Sequence, residues 1–229
     1  MVTQYGRTGR PSPRGRRLTS PAGFTLVELL VAMLVSIGFM GAAVAVSSQM
    51  QNAYRRQLEA ADAQQEGRYA LEWITRIIRS AGNNPFYRTT TNCPATGTVV
   101  MAVRMDPNGN GQNDEVRLQT DVSPADGRIG GLSGACTEAG EDMTIAYDST
   151  NRVVTARDNN VDSAALLRTD SVVSGLQFIY RDAAHNVTTA ASAVSYIETV
   201  LTVQSRVLDP TTKLPVTYTL RSETRIRNR

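Results

Sequence analysis

The hydrophobic pattern of this chain changes character twice. From Phe24 to Val46 the residues are apolar on every side of a helical projection, and the only ionisable side chain among them is Glu28. From Ser47 polar residues return, yet the helical period continues. Met50, Tyr54 and Leu58 recur at i, i+4 and i+8, and Ala61 follows at the next helical step. Ala70, Ile74, Ile77 and Ile78 then make one face, with Leu71 and Trp73 beside it. Charged residues fill the other positions, including Glu72 and Arg76 in the favourable i,i+4 order. No proline falls between Phe24 and Asn84, and Gly82-Asn83-Asn84-Pro85 reads as a stop signal. The pattern predicts one helix from about Phe24 to Ser80, roughly 85 Å long at the standard rise. Its first half is apolar all round; its second half is amphipathic, as a helix laid against a sheet is.

Beyond Thr96 the period shortens to two. Residues 99–105, 115–120, 143–147, 152–156, 175–181, 196–208 and 216–226 read as strands, rich in β-branched side chains. The last two alternate most clearly, with Asp209-Pro210-Thr211-Thr212-Lys213 as the hairpin turn between them. A long amphipathic helix followed by strands predicts an α+β domain with an antiparallel sheet. About 150 residues suffice for one core.

The apolar run is long enough to span a bilayer, which needs about 20 residues. Ahead of it stand Arg7, Arg10, Arg14, Arg16 and Arg17 and no acid. Arginines before a first span hold that end in the cytoplasm, so the rest is expected outside. Three ordinary segments compete with this picture. A secretory signal peptide would use Ala43-Val44-Ala45 as its cleavage site, but the run exceeds the usual ~7–15 residues. A twin-arginine signal would rest on Arg16-Arg17 alone. A plain single-span anchor explains the arginines and the length but leaves Glu28 without a reason. A carboxylate in hydrocarbon costs about 2.5–3.5 kcal/mol on insertion scales, and is a functional hypothesis by default.

The junction Gly23-Phe24-Thr25-Leu26-Val27-Glu28-Leu29-Leu30 resembles the processing site of type IV prepilins, a family that includes the pseudopilins of type II secretion. The shared pattern is a basic leader, a glycine, an N-methylated aromatic, then Thr/Ser-Leu-x-Glu and an apolar run. The resemblance implies that a prepilin peptidase cuts between Gly23 and Phe24 and methylates the new Phe24 amine. It implies a pilin-like fold and four segments. These are a cleaved leader, 1–23; a transmembrane and filament-core helix, 24–46; its amphipathic continuation, 47–82; and a β-rich periplasmic domain, 83–229. Cleavage supplies a cationic amine at Phe24, and paired charges partly cancel the burial penalty of each. Glu28 is one turn from Phe24 in its own chain; the resemblance favours its meeting Phe24 of a neighbouring subunit during assembly. The stretch Gln65–Gly82 and the carboxyl-terminal strand resemble the PilW class of minor pilins, with J-class pseudopilins sharing a similar plan. The implied protein is structural, not an enzyme. Its partners are other pilins, the prepilin peptidase and an inner-membrane assembly platform. An exported binding domain or enzyme with an atypical signal anchor is the alternative from another class.

Charge sharpens this. The chain has 24 basic and 21 acidic residues. Without the five leader arginines, 19 face 21, so the mature chain carries no basic field for nucleic acid. Arg221, Arg225, Arg227 and Arg229 read as a solvated strand end. Cys93 and Cys136, both in polar loops outside the membrane, are expected to form one disulfide. Calcium is the one ion the sequence admits. Asp106, Asn108, Asn110 and Asp114 stand at the first, third, fifth and ninth positions of a calcium-loop pattern, with Gly111 at the sixth. The twelfth position holds Arg117 where a bidentate Glu belongs, and an Asn/Gly-rich turn explains the same composition. His185, the only histidine, lies in a polar loop and reads as a surface residue. No nucleophile motif or phosphate loop is present.

Overall fold

The computed structural model describes residues 23–86, 100–122, 125–130, 137–209 and 212–226. The chain divides into two compact units, Met1–Met50 and Gln51–Arg229. One helix, α1, runs over Leu26–Ser80. It starts two residues later than the hydrophobic pattern predicts, because Thr25 serves as its cap. In the first unit every described residue is exposed. Two serine hydroxyls of this unit bond back to the helix: Ser36 Oγ donates to the Ala32 carbonyl at 2.7 Å and Ser48 Oγ to the Ala45 carbonyl at 2.8 Å. Such self-satisfaction is what hydrocarbon demands of a polar side chain.

In the second unit α1 ends where the sequence says it should. Gly82 has φ of +76°, the left-handed conformation of a helix-terminating glycine. Its N–H donates to the Gln119 carbonyl at 2.9 Å, and Thr120 Oγ1 donates to the Ser80 carbonyl at 2.7 Å. The helix end is thereby tied to the end of the strand Glu115–Gln119.

Among the described residues, eight strands form two antiparallel sheets. The first contains β1 (Val103–Met105), β2 (Glu115–Gln119), β3 (Asp142–Asp148), β4 (Val153–Asp158) and β5 (Leu166–Leu167), in that spatial order. The second contains β6 (Val173–Arg181), β7 (Tyr196–Leu208) and β8 (Pro215–Arg225). The single sheet expected from the sequence is therefore two. β5 is only two residues long, too short to show alternation, and residues 100–102 stay outside β1. The long β7–β8 hairpin is as predicted, with Leu201 opposite Leu220 and Val203 opposite Tyr218.

The core joins all three layers. Ile74, Ile78 and Ala70 of α1 cluster with Phe178, Leu201 and Val203 of the second sheet and Val116, Leu118, Ile145 and Val154 of the first. Burying a side chain such as Ile74 contributes about 1.5–3 kcal/mol. The buried face of α1 is Ala63, Gly67, Ala70, Leu71, Ile74 and Ile78. The small residues let helix and sheet approach: a Cβ on Gly67 would lie 2.6 Å from Leu220 Cδ1 and 3.0 Å from Val203 Cγ1. Met50, Tyr54 and Leu58 follow the helical period but are exposed. At 100° per residue they lie on the opposite side of the helix from the Gly67–Ile74 stripe.

Candidate functional site: the junction before the apolar helix

The first turn of α1 is built by two side chains. The Thr25 N–H donates to Glu28 Oε2 at 3.0 Å, and the Thr25 hydroxyl donates to the same oxygen at 3.1 Å. In return the Glu28 N–H donates to Thr25 Oγ1 at 3.3 Å. This is a capping box, in which the cap residue and the third helical residue satisfy each other's free amides. The first i to i+4 bond follows, from the Leu29 N–H to the Thr25 carbonyl at 3.2 Å. A Thr-x-x-Glu sequence ahead of an apolar run signals this cap, and it gives Glu28 a structural role beside its charge.

Gly23 and Phe24 precede the cap and belong to no helix. Phe24 is 87% exposed, and nothing lies within 4 Å of a Cβ placed on Gly23. The Gly23–Phe24 peptide thus lies on an unwound, exposed stretch ahead of α1. The Phe24 nitrogen lies within about 3.8 Å of the Thr25 nitrogen, so an amine there stands within ~7 Å of Glu28 Oε2. The box therefore keeps the carboxylate at the amino-terminal end of the helix, where a new cation would arise. α1 is long and apolar enough to cross a membrane by length and composition.

In the second unit the Asp106–Asp114 loop joins β1 to β2. Asp106 Oδ1 accepts the Asn110 N–H at 3.1 Å and Oδ2 the Gly111 N–H at 2.8 Å. Asn108 Oδ1 accepts the Asn110 N–H at 3.0 Å, and Asn110 Oδ1 the Gln112 N–H at 2.7 Å. Three of the four proposed calcium side chains are thus engaged by backbone amides, while Asp114 Oδ1 is buried and has no hydrogen-bond partner among the described residues. Arg117, at the twelfth position, turns to Asp142 at 2.6 Å. Glu115 lies at the loop's edge; burial raises its carboxyl above the ordinary value, and Asp114 and Asp106 add to the rise. Among the described residues, no three His, Cys, Asp or Glu side chains come together as a metal centre. Cys93 and Cys136 lie outside the described residues.

His185 is less solitary than its loop suggested. Its Nδ1 lies 2.8 Å from Glu223 Oε1, and its ring stacks on Tyr196 at 4.2 Å. Arg221 pairs with Glu198 at 2.9 Å, and Arg181 meets the other oxygen at 2.6 Å. These two hydrogen-bonded guanidiniums hold the Glu198 carboxyl below its usual range. The network ties the loop after β6 to β7 and β8.

Residues 19–43 match the prokaryotic N-terminal methylation motif. The match covers the Gly23–Phe24 peptide, the capping box and most of the apolar run. No curated protein and no solved structure matches the chain.

Proposed function

We propose that this chain is a minor pilin, a structural subunit of PilW type that helps initiate or cap a type IV pilus. The methylation motif carries this reading, because it falls in register with an exposed Gly23–Phe24 peptide and a carboxylate held one turn beyond it. The precursor inserts with its basic leader in the cytoplasm and its β domain in the periplasm. Prepilin peptidase then cuts before Phe24 and methylates the new amine. Glu28 stabilises that amine, and an incoming subunit uses the same pair as its register against a subunit already assembled. The apolar half of α1 is covered first by lipid and then by other pilin helices. A J-class pseudopilin would have the same anatomy and differ in its partners.

Mass spectrometry of the mature amino terminus tests the processing step. A start at N-methyl-Phe24 supports it, and a start at Val46 marks a signal peptide instead. Crosslinking in the membrane, followed by identification of the captured subunits, separates pilus from secretion partners.

We infer further that the Asp106–Asp114 loop is a turn stabilised by its own amides. Its side chains already accept the bonds that hold it. Added calcium is expected to leave the melting temperature unchanged; a rise that Asp106→Ala abolishes would make the loop a calcium site.

A further inference from the structure

The two edges of the second sheet are finished differently. On the β6 side the outward backbone groups have partners. The Phe178 N–H donates to the Asn113 carbonyl at 2.7 Å, the Val173 N–H to the Arg152 carbonyl at 3.0 Å, and the Thr188 N–H to the Tyr180 carbonyl at 2.9 Å. β8 forms the other edge. The Val216 N–H donates to Ser205 Oγ and the Ile226 N–H to the Ser195 carbonyl, each at 3.0 Å. Both point toward β7, and backbone groups alternate sides along a strand. The N–H and C=O groups of Thr217, Thr219, Arg221, Glu223 and Arg225 therefore point away from β7. Among the described residues none of them has a backbone hydrogen-bond partner. The strand is 11 residues long and its only proline is its first residue. A long, regular edge of this kind is a template for another strand.

The cleft beside this edge says what kind of strand it takes. α1 supplies Leu71 and Thr75, with Arg68, Arg76 and Arg79 around them, and β8 supplies Ser222. Arg76 is paired with Glu72 at 3.6 Å. Arg68 and Arg79 are exposed and have no anionic partner among the described residues. A strand added to β8 extends the sheet over this cleft and sets alternate side chains above the two guanidiniums. Carboxylates at those positions gain charge-assisted hydrogen bonds. A second copy of β8 does not supply them. The side chains it turns to the helix side are Tyr218, Leu220, Ser222 and Thr224, none of them acidic, and it brings a second set of arginines.

We propose that the outer edge of β8 pairs with an extended segment of another protein, one that presents acidic side chains at alternate positions to Arg68 and Arg79. Main-chain bonds to residues 217–225 supply the affinity and the carboxylates the specificity, as in other strand additions. On the opposite face Arg221, Glu223 and Arg225 are exposed, and such charges discourage indiscriminate pairing. The contact is independent of processing at Gly23–Phe24, so either reading can fail without the other.

The test uses the detergent-solubilised full chain and a synthetic peptide of alternating glutamate and threonine, labelled for fluorescence anisotropy. A peptide of alternating lysine and threonine is the charge control. Two further glutamate peptides carry N-methyl groups on every glutamate or on every threonine. The glutamate peptide is expected to bind at least about tenfold more tightly than the lysine peptide, since like charges across an interface are costly. One methylated peptide should lose binding and the other keep it, because only alternate amides of an added strand face β8. Thr219→Pro removes an outward N–H and leaves the β7 ladder intact, so it is expected to melt close to the parent and to lose peptide binding. Arg68→Glu combined with Arg79→Glu should reverse the preference between glutamate and lysine peptides. Equal binding of the two charge forms, no difference between the two methylated peptides, or no saturable binding up to ~1 mM overturns the proposal. Self-association of the parent that Thr219→Pro abolishes assigns the edge to a second copy and also overturns it.

Discussion

Thr25 and Glu28 cap the first turn of α1 reciprocally, with both Thr25 donors converging on a single Glu28 oxygen. Glu28 therefore has a structural task as well as a charge, and two substitutions separate them. Glu28→Ala removes both and weakens the helix start by about 1 kcal/mol. Glu28→Gln keeps an oxygen for the Thr25 N–H and loses only the charge. Both variants are expected to insert and to be cut at Gly23, and both to fail in filament incorporation, read by the fraction of protein in sheared pili. Normal incorporation of Glu28→Gln would show that the cap, and not the ion pair, is what assembly needs.

Gly67 sets the distance between α1 and the second sheet. Gly67→Leu forces Leu220 and Val203 apart and is expected to destabilise by about 1–3 kcal/mol, as overpacking does. In detergent-solubilised full chain that lowers the melting temperature by roughly 3–10 °C. Leu220→Ala in the same chain vacates the space and should restore part of the loss; the absence of any recovery would place the strain elsewhere.

Asp142 is fully buried and saturated by donors. Arg117 reaches it through Nε at 2.6 Å and Nη2 at 2.8 Å, Gln119 at 2.7 Å and Asn159 at 2.8 Å. Asp142→Ala strands the Arg117 guanidinium and is expected to cost about 3–5 kcal/mol, by thermal denaturation. Replacing both residues with apolar ones of similar size should cost far less, since it leaves no unpaired charge.

Glu115 gives the domain a pH dependence of predictable sign. Its folded carboxyl titrates above the ordinary 4.5, chiefly through burial and then through Asp114 and Asp106. The fold thus prefers the protonated form. The contribution of Glu115 is complete below the ordinary value and is lost as pH rises through the raised one. Glu115→Gln should flatten this part of the melting curve against pH and stabilise the protein near pH 7, by less than ~1 kcal/mol after solvent screening. A variant that melts lower than the parent at pH 7 contradicts the assignment.

The sequence revealed most where the signal was local. The Gly82 stop and the β7–β8 hairpin each depend on a few adjacent residues, and each lies where the pattern put it. The Thr25 cap is equally local, written in Thr25 and Glu28 three residues apart. Long-range features were not legible. That Met50, Tyr54 and Leu58 turn from the sheet follows from the rotation of α1 about its axis, fixed by Gly67, Ile74 and Ile78 much later in the chain. The division into two sheets depends on β6 pairing with β7 and not with β4, a choice among similar apolar strands that alternation cannot make. His185 meets Glu223 across 38 residues, a partnership no spacing rule announces.

The tie at the end of α1 has a mechanical consequence. A pull along the helix axis reaches the β domain through the Thr75–Ser222 bond, the Gly67 contact and, at the far end, the bonds from Gly82 to Gln119 and from Thr120 to Ser80. These lie at successive points along the helix, so tension is shared among them and does not peel them one at a time. A helix drawn lengthwise would carry its domain with it as one loaded piece.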